Sequence, residues 1–302
     1  MTLAGPARQG LFMSGNTILR GGLATLILLL SGLGGCAIGQ ATGITTPRRD
    51  IAEQVALLRP HATIGIPADA AAPVPAAILL HGCGGLRQVQ PDYAAALLEA
   101  GYGVITVDSN SARGIGRFAA MSQVCTALRL WGRERAADIE AALVLAREDP
   151  RIDETRLALI GWSHGGWTVL DALDYAGEDR APPSLTALET PPLAGVRSAI
   201  LLYPYCGFPV RADGRSFPSD IAVHAILAGR DMVAPTGDCV RLFERADTAG
   251  HPVDHVTWPG VTHAFDEPAA PPDPRMEYDA DAAARARARI IGILDSTLRD
   301  QG

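Results

Sequence analysis

Apolar runs bounded by glycine, proline and charged residues alternate along the chain with stretches in which apolar positions recur every three or four residues. The runs predict buried strands, and the recurring positions predict amphipathic helices. The predicted strands cover residues 75–81, 103–108, 157–162, 198–203, 222–228 and 255–259, and the predicted helices cover 91–100, 129–147, 164–175, 238–247 and 277–299. This alternation is typical of an α/β fold, in which helices cover both faces of a mostly parallel sheet.

Composition and charge narrow the class of protein further. The chain has 302 residues, of which 48% are hydrophobic and 20% are charged, which suits one globular domain with a large core. The formal net charge of -7 argues against a nucleic-acid binder, because phosphate contacts need clustered basic side chains. The pattern shows no internal repeat and no second domain, so we assign residues 51–302 to a single α/β domain.

Residues 20–36 have the pattern of an export signal. Arg20 precedes the apolar run at 23–30, and small residues then lead to Cys36. Within this stretch, Leu33-Gly34-Gly35-Cys36 resembles a bacterial lipobox, in which the cysteine becomes the lipidated first residue. The sequence therefore predicts a lipoprotein that is attached to a membrane through Cys36.

This prediction divides the amino-terminal region into a signal peptide at residues 1–35 and a tether at residues 36–50. By resemblance to other lipoproteins, Ala37 in place of an aspartate after the cysteine favours the outer membrane, so we expect an outer-membrane lipoprotein that faces the periplasm. An uncleaved anchor in the inner membrane and a soluble periplasmic protein are the alternatives. The true start is either Met1 or Met13, since residues 13–35 alone make a leader of ordinary length.

Four further cysteines, Cys83, Cys125, Cys206 and Cys239, lie in the α/β domain. In an oxidising compartment they permit two disulfides. Cys206 closes a predicted strand, and Cys239 opens the helix that follows the next strand, so we favour a Cys206–Cys239 pair. Buried free thiols are the alternative.

Ser163 has the sequence context of a catalytic nucleophile. It lies in Gly161-Trp162-Ser163-His164-Gly165, directly after an apolar strand and before a predicted helix. A sharp turn between strand and helix exposes the serine hydroxyl at the end of the sheet, and flanking glycines permit the close backbone packing that the turn needs.

A serine nucleophile needs a base and an acid that orients the base. His263 follows the last predicted strand and is the candidate base, while Asp231 follows an earlier strand and is the candidate acid. The resulting order of serine, aspartate and histidine is the one expected for this strand–turn–helix context. Asp238, a candidate helix cap, and Asp254, a candidate solvated residue, are the alternative acids.

Two backbone N–H groups are candidates for an oxyanion hole. The N–H of His164 opens the helix after the nucleophile, where the helix dipole favours negative charge. The second candidate is the N–H of Cys83, in the glycine-rich loop His81-Gly82-Cys83-Gly84-Gly85. The alternative for this loop is a tight turn between a strand and a helix.

Arg113 and Arg117 lie in the long connection at 109–128, near the edge of the sheet where open α/β folds bind ligands. Either guanidinium is a candidate to bind a substrate carboxylate. The alternative is that both are solvated loop residues.

Taken together, four motifs resemble those of the dienelactone hydrolase family, a branch of the α/β-hydrolases, over roughly residues 60–298. The motifs are His81-Gly82-Cys83-Gly84-Gly85, Gly161-Trp162-Ser163-His164-Gly165-Gly166, Gly229-Arg230-Asp231 with Pro235, and His263-Ala264-Phe265. The resemblance implies the α/β-hydrolase fold and hydrolysis through an acyl-enzyme, without a metal or an organic cofactor. The founding enzyme carries cysteine where this chain carries Ser163, which favours a general carboxylic ester over dienelactone.

The sequence therefore predicts a serine hydrolase that cleaves small-molecule carboxylic esters, with Ser163 as nucleophile, His263 as base and Asp231 as its orienting acid. One alternative is a peptidase of the same fold. Another is a non-catalytic envelope lipoprotein that uses the fold to bind a ligand or partner. The complete set of nucleophile, base and acid argues against this last alternative, because a binding protein has no need of it.

Overall fold

The computed structural model describes residues 47–71, 73–270 and 272–299. The expected signal peptide, Cys36 and the first part of the expected tether lie outside the described residues. In the part of the chain that is described, no helix is both long enough and apolar enough to cross a membrane.

A seven-stranded sheet forms the centre of the domain. Its strands are β1 (Ala62–Gly65), β2 (Val74–Leu80), β3 (Gly103–Val107), β4 (Ile152–Trp162), β5 (Val196–Leu202), β6 (Ala222–Ala228) and β7 (Val253–Trp258). They lie in the order β1-β3-β2-β4-β5-β6-β7. Strand β1 runs antiparallel to β3, and all the other pairs are parallel. The mostly parallel sheet expected from the alternating pattern is thus confirmed.

Helices cover both faces of this sheet. They are α1 (Ile51–Leu58), α2 (Val89–Glu99), α3 (Gly132–Glu148), α4 (His164–Gly177), α5 (Thr236–Thr248) and α6 (Ala280–Leu298). Helices α1, α3, α4 and α5 pack against one face, and α2 and α6 pack against the other. The central strands are buried on both sides, which explains why they read as continuous apolar runs.

Strand β2 shows how one apolar run contributes side chains to the hydrophobic cores on both faces of the sheet. Ile78 and Leu80 belong to one core, while Ala77 and Leu79 belong to the other, because successive side chains point to opposite faces. All four are fully buried. Burial of each large aliphatic side chain contributes roughly 1.5–3 kcal/mol, so both helical layers are held firmly to the sheet.

Helix α1 and strand β1 are additions to the elements that the sequence pattern predicts. Helix α1 begins with a capping box, in which the Asp50 carboxylate accepts the Glu53 N–H at 2.7 Å and the Glu53 carboxylate accepts the Asp50 N–H at 3.2 Å. Just before it, Arg49 donates its N–H to the carbonyl of Ser184 at 2.9 Å. The last residues of the expected tether therefore contact the domain.

The parallel strands bring the candidate residues to one edge of the sheet. The loop at residues 81–85 follows β2, Ser163 follows β4, Asp231 lies beyond the end of β6, and His263 lies beyond the end of β7. Since parallel strands end at the same edge, these four segments converge there.

Candidate active site

Ser163 occupies a strained turn between β4 and α4. Its backbone has φ 52° and ψ -110°, a conformation that residues other than glycine rarely adopt. The Ser163 N–H donates to the carbonyl of Leu202 at 2.9 Å, and the Ser163 carbonyl accepts the N–H of Tyr205 at 3.2 Å. Both bonds reach the end of β5, so neighbouring chain holds the turn in this conformation.

Glycines around Ser163 are required by close backbone packing. A Cβ at Gly161 would lie 2.6 Å from the carbonyl of Gly165, and one at Gly166 would lie 2.6 Å from the Cβ of Pro204. A Cβ at Gly165 would overlap the carbonyl oxygen of Leu80. The turn therefore depends on the absence of side chains at these positions, as the sequence pattern indicates.

The structure brings Ser163, His263 and Asp231 together in a chain of hydrogen bonds. His263 Nε2 lies 2.9 Å from Ser163 Oγ, and His263 Nδ1 lies 2.7 Å from Asp231 Oδ2. A carboxylate can only accept, so Nδ1 carries the proton of the neutral ring and Nε2 is left to accept the serine proton. The side chains of His263 and Asp231 are 5% and 1% exposed, which shields their contact from water.

Asp231 is itself fixed by backbone donors. Its Oδ1 accepts the N–H of Val233 at 2.9 Å and the N–H of Ala234 at 2.7 Å. One oxygen is therefore held by the turn after β6, and the other is directed at His263. This arrangement fixes both the orientation and the tautomer of the imidazole.

The two alternative acids, Asp238 and Asp254, pair with other side chains. Asp238 pairs with Arg241 on helix α5. Asp254, at the start of β7, lies 3.0 Å from His224 and 3.1 Å from Arg289. Among the described residues, no group of three or more His, Cys, Asp or Glu side chains is placed to hold a metal ion.

Behind His263 lies a buried aspartate that the sequence analysis missed. The Tyr203 ring packs edge-on against the His263 ring, with 4.8 Å between the ring centres. The Tyr203 hydroxyl donates to Asp266 Oδ1 at 2.5 Å, while the Tyr93 hydroxyl and the Trp162 Nε1–H donate to Asp266 Oδ2 at 2.8 and 3.1 Å. Asp266 therefore joins the loop that carries His263 to the strand that carries the nucleophile.

Burial is the main cause of the shifted pKa values in this cluster. It raises the pKa of the Asp266 carboxyl, against the effect of the three donors. Burial, together with the charge of Asp266, raises the pKa of Tyr93 and Tyr203 well above the ordinary range. Both hydroxyls remain protonated and keep donating. Asp266 follows His263 by three residues in the loop after β7, and nothing in that sequence distinguishes it from a solvated aspartate.

The glycine-rich loop after β2 lies against the nucleophile. A Cβ at Gly82 would lie 3.7 Å from the Cβ of Ser163. The Cys83 carbonyl accepts the side-chain amide of Asn110 at 3.0 Å, while the Cys83 N–H has no backbone acceptor among the described residues. The N–H of His164 stands at the first position of α4, where helix N–H groups have no partner within the helix. Both candidate donors therefore belong to segments that border Ser163.

A buried guanidinium ties these two segments together, and the sequence analysis missed it. Arg135, on helix α3, donates from its Nη1 to the carbonyl of His81 at 2.7 Å and from its Nε to Ser109 Oγ at 2.8 Å. The same Nη1 lies 3.2 Å from His164 Nδ1. The opposite ring nitrogen, His164 Nε2, lies 2.9 Å from the carbonyl of Leu130. Arg135 thus joins the loop after β2 to the first residue of α4.

The two histidines of this network are neutral. Burial, reinforced by the positive charge of Arg135, lowers the pKa of His164 to about 3 and the pKa of His81 well below its usual range. His81 Nδ1 lies 2.6 Å from the carbonyl of Gly82, and His81 Nε2 accepts the Ser109 N–H at 3.2 Å. Burial also lowers the pKa of Arg135 to about 10, which leaves it charged at neutral pH.

Two disulfides lie beside the site. Cys206 is joined to Cys239, the pair favoured from the sequence, and Cys83 is joined to Cys125. The second bond fixes the loop after β2 to the residue that directly follows a short helical segment at 117–124. The covalent frame therefore includes the residue whose N–H is the oxyanion candidate.

The two candidate arginines differ in their surroundings. Arg113 makes two bonds to the buried carboxylate of Asp138, at 2.8 and 2.9 Å, and a third to the carbonyl of Ser109 at 3.0 Å. These contacts engage its guanidinium inside the domain. Arg117 is exposed, at the start of the helical segment.

Two family comparisons cover different parts of the chain. Residues 187–298 match the dienelactone hydrolase family, and residues 90–179 match the prolyl oligopeptidase family. A comparison with curated protein sequences finds no match.

Solved structures reproduce the fold over most of the chain. A protein assigned as a dienelactone hydrolase from Klebsiella pneumoniae is 17% identical over 77% of this chain and 91% of its own, with a TM-score of 0.60. The chain has the α/β-hydrolase fold, and residues 187–298 match the dienelactone hydrolase family. Esterase 2 of Thermogutta terrifontis, phosphorylated by paraoxon, is 16% identical over 78% of this α/β-hydrolase and 88% of its own length, with a TM-score of 0.56.

A peptidase shares the same fold. Dipeptidyl peptidase 4 of Porphyromonas gingivalis is 18% identical over 78% of the present hydrolase, but this region is only 33% of that larger chain, and the TM-score is 0.56. At these identities the structural likeness shows the fold. Together with the family matches, it makes this chain a hydrolase of the dienelactone hydrolase type.

Proposed function

We propose that this hydrolase cleaves carboxylic esters with Ser163 as nucleophile, through an acyl-enzyme. The observation that carries the proposal is the continuous hydrogen-bonded chain from Ser163 Oγ through both nitrogens of His263 to Asp231. This is the arrangement by which an imidazole activates a hydroxyl, with a carboxylate to hold the ring.

In the proposed reaction, His263 Nε2 takes the proton of Ser163 as Oγ attacks the ester carbonyl carbon. Asp231 stabilises the resulting imidazolium, and the N–H groups of Cys83 and His164 donate to the oxyanion. When the carbon–oxygen bond of the ester breaks, the departing alcohol takes the proton from His263. A water molecule, activated by the same nitrogen, then attacks the acyl-enzyme, and Ser163 recovers its proton.

A peptidase is the second candidate, supported by the match of residues 90–179 to the prolyl oligopeptidase family. Both reactions use the same nucleophile, so only the leaving group distinguishes them. Matched acyl substrates with a p-nitrophenol or a p-nitroaniline leaving group would compare the two. We expect kcat/KM to be higher for the ester by several orders of magnitude, and comparable values would favour the peptidase.

We also propose export and lipid attachment through Cys36, with the domain facing the periplasm from the outer membrane. The apolar run and lipobox-like residues before Cys36 support this proposal. Two disulfides among the described residues also suit an oxidising compartment.

Reaction of the full chain with a fluorophosphonate probe tests the proposed nucleophile. We expect one adduct, located on Ser163 by mass spectrometry, and a loss of labelling in both Ser163→Ala and His263→Ala. Ester turnover should fall by about three orders of magnitude or more in either variant, since residual catalysis comes only from the oxyanion hole and binding. Ordinary turnover by a folded Ser163→Ala protein would refute the proposal.

A further inference from the structure

Most of the large apolar side chains that remain exposed lie at the edge of the sheet that carries Ser163. Those found among the described residues are Ile64, Leu86, Phe118, Met121, Leu128, Phe208, Met232, Val233 and Tyr278. All except Ile64, which lies on the edge strand β1, belong to loops that follow the carboxyl ends of parallel strands. Exposed apolar side chains that are grouped in one region of the surface often mark a binding site, whereas isolated ones do not.

One group lies in the connection that follows β3. Phe118 is 87% exposed, Met121 is 48% exposed and Leu128 is 63% exposed. The Met121 sulfur lies 3.8 Å from the position that a Cβ at Gly84 would occupy. The Cys83–Cys125 disulfide fixes the same segment to the loop that borders Ser163.

Phe208 extends this apolar surface from another loop. It is 86% exposed, and its carbonyl accepts the hydroxyl of Tyr205, whose N–H donates to the carbonyl of Ser163. The Phe208 ring packs edge-on against Trp131, with 6.5 Å between the ring centres. The Trp131 Nε1–H in turn donates to the carbonyl of Ala127, in the segment that carries Leu128. Trp131 therefore bridges the two loops.

We call Phe118, Met121, Leu128 and Phe208 the apolar rim. The reaction itself assigns a side of the site to each half of the ester. The alcohol must lie against His263, because that residue gives it a proton. The acyl chain then takes the other side of Ser163, toward the connection after β3, because β2 and β3 lie on the opposite side of β4 from β6 and β7.

We infer that the substrates are carboxylic esters with an extended aliphatic acyl chain that lies along the apolar rim. This inference rests on the proposed function. Each methylene that moves from water to such a surface contributes about 0.8 kcal/mol, or roughly a fourfold gain in kcat/KM when fully buried. A partly open rim gives a smaller gain per methylene, but the gain accumulates along the chain.

The test uses the full chain and p-nitrophenyl acetate, butyrate and octanoate, each below its aggregation concentration. We expect kcat/KM to rise about tenfold or more from acetate to octanoate. Phe208→Ser and Met121→Ser should each lower the octanoate value about fivefold relative to the acetate value. Both side chains are exposed, so these changes spare the core. The matched control is Ile64→Thr, which should leave the whole series unchanged.

A flat or falling series for the wild type would overturn the inference. So would a preference for the p-nitrophenyl hemisuccinate that is lost in Arg117→Gln, which would assign a carboxylate substrate to the site. A rate with octanoate that rises only when its concentration is then taken above that aggregation limit would also overturn it, in favour of docking to a lipid surface. The proposed function fails separately, if no ester in the series is cleaved and Ser163 takes no fluorophosphonate.

Discussion

At the scale of single residues, Arg135 shows how a side chain outside the triad controls the site. It donates to His81 and Ser109 and contacts His164, so one guanidinium holds both segments that carry the oxyanion candidates. Transition-state stabilisation by backbone donors depends on fixed geometry, and a displacement of about 1 Å costs roughly 100-fold in rate. The position of Arg135 therefore matters to turnover more than to binding.

We expect Arg135→Met to lower kcat for p-nitrophenyl acetate by about 10- to 100-fold, with KM changed by less than about threefold. Arg135→Lys retains the charge but reaches fewer acceptors, so it should recover part of the loss. The control is Arg113→Met, which breaks the pair with buried Asp138 in the same network. It should lower the melting temperature and preserve kcat. Equal losses of kcat in the two variants would show that Arg135 has only a structural role.

The same scale shows which site residues the sequence can reveal. Ser163, Asp231 and His263 each follow a recognisable strand, and the structure places them within hydrogen-bond distance. Arg135 and Asp266 carry no such local signal. Arg135 reaches a carbonyl 54 residues away and Asp266 accepts from a ring 104 residues away, so only the folded chain distinguishes them from solvated charges.

At the scale of elements, the Cys83–Cys125 disulfide joins the loop after β2 to the end of the helical segment at 117–124. Its removal frees a segment that borders the nucleophile. We expect the double variant Cys83→Ala with Cys125→Ala to lose about 3–4 kcal/mol of stability, from the entropy of a loop of 42 residues. It should also lose about tenfold or more in kcat, although the Cys83 N–H is retained.

The second disulfide provides the matched control. Cys206 and Cys239 are 33 residues apart, so the double alanine variant should lose a similar free energy of unfolding. It leaves the loop after β2 covalently fixed, and we expect kcat for p-nitrophenyl acetate to stay within about threefold. Denaturant unfolding and steady-state kinetics of the two proteins measure both quantities. Equal kcat values in the two variants would contradict a specific role for the Cys83–Cys125 bond.

The helices and strands differ in how well the local sequence pattern predicts them. The buried parallel strands are visible as apolar runs, because both faces pack against helices. Strand β1 spans four residues and exists through its antiparallel pairing with β3, which a local pattern does not encode. Helix α1 had a local signal, the Asp50-Ile51-Ala52-Glu53 capping box, whereas the polar start of β4 at Asp153 to Arg156 had no apolar run to reveal it.

At the scale of the whole molecule, buried titratable groups make the free energy of unfolding depend on pH. Neutral His81 and His164 gain protons only on unfolding, so they destabilise the fold at low pH, and this effect disappears as pH rises through the ordinary histidine pKa. Buried acids act in the opposite direction. Burial raises the pKa of Glu140 to about 7 and that of Asp171 to about 6, so the folded state keeps protons that the unfolded chain releases.

Glu140 isolates the acid part of this balance, because it lies on α3 away from the triad and accepts the Leu193 N–H at 3.1 Å. Its stabilising effect is complete below the pKa of the unfolded chain and is lost as pH rises through about 7. Glu140→Gln keeps the acceptor oxygen and removes the titration. The variant should therefore gain stability relative to the wild type between about pH 5 and pH 8, by at most about 3 kcal/mol.

Urea unfolding of both proteins across that range measures the difference directly. Glu189→Gln, at an exposed position, is the control and should track the wild type at every pH. A Glu140→Gln curve parallel to the wild type would show that Glu140 has the same proton affinity in the folded and unfolded chains. A gap that widens up to about pH 7 and then stays constant would show that buried Glu140 limits the stability of the hydrolase at and above neutrality, independently of any change in its catalytic residues.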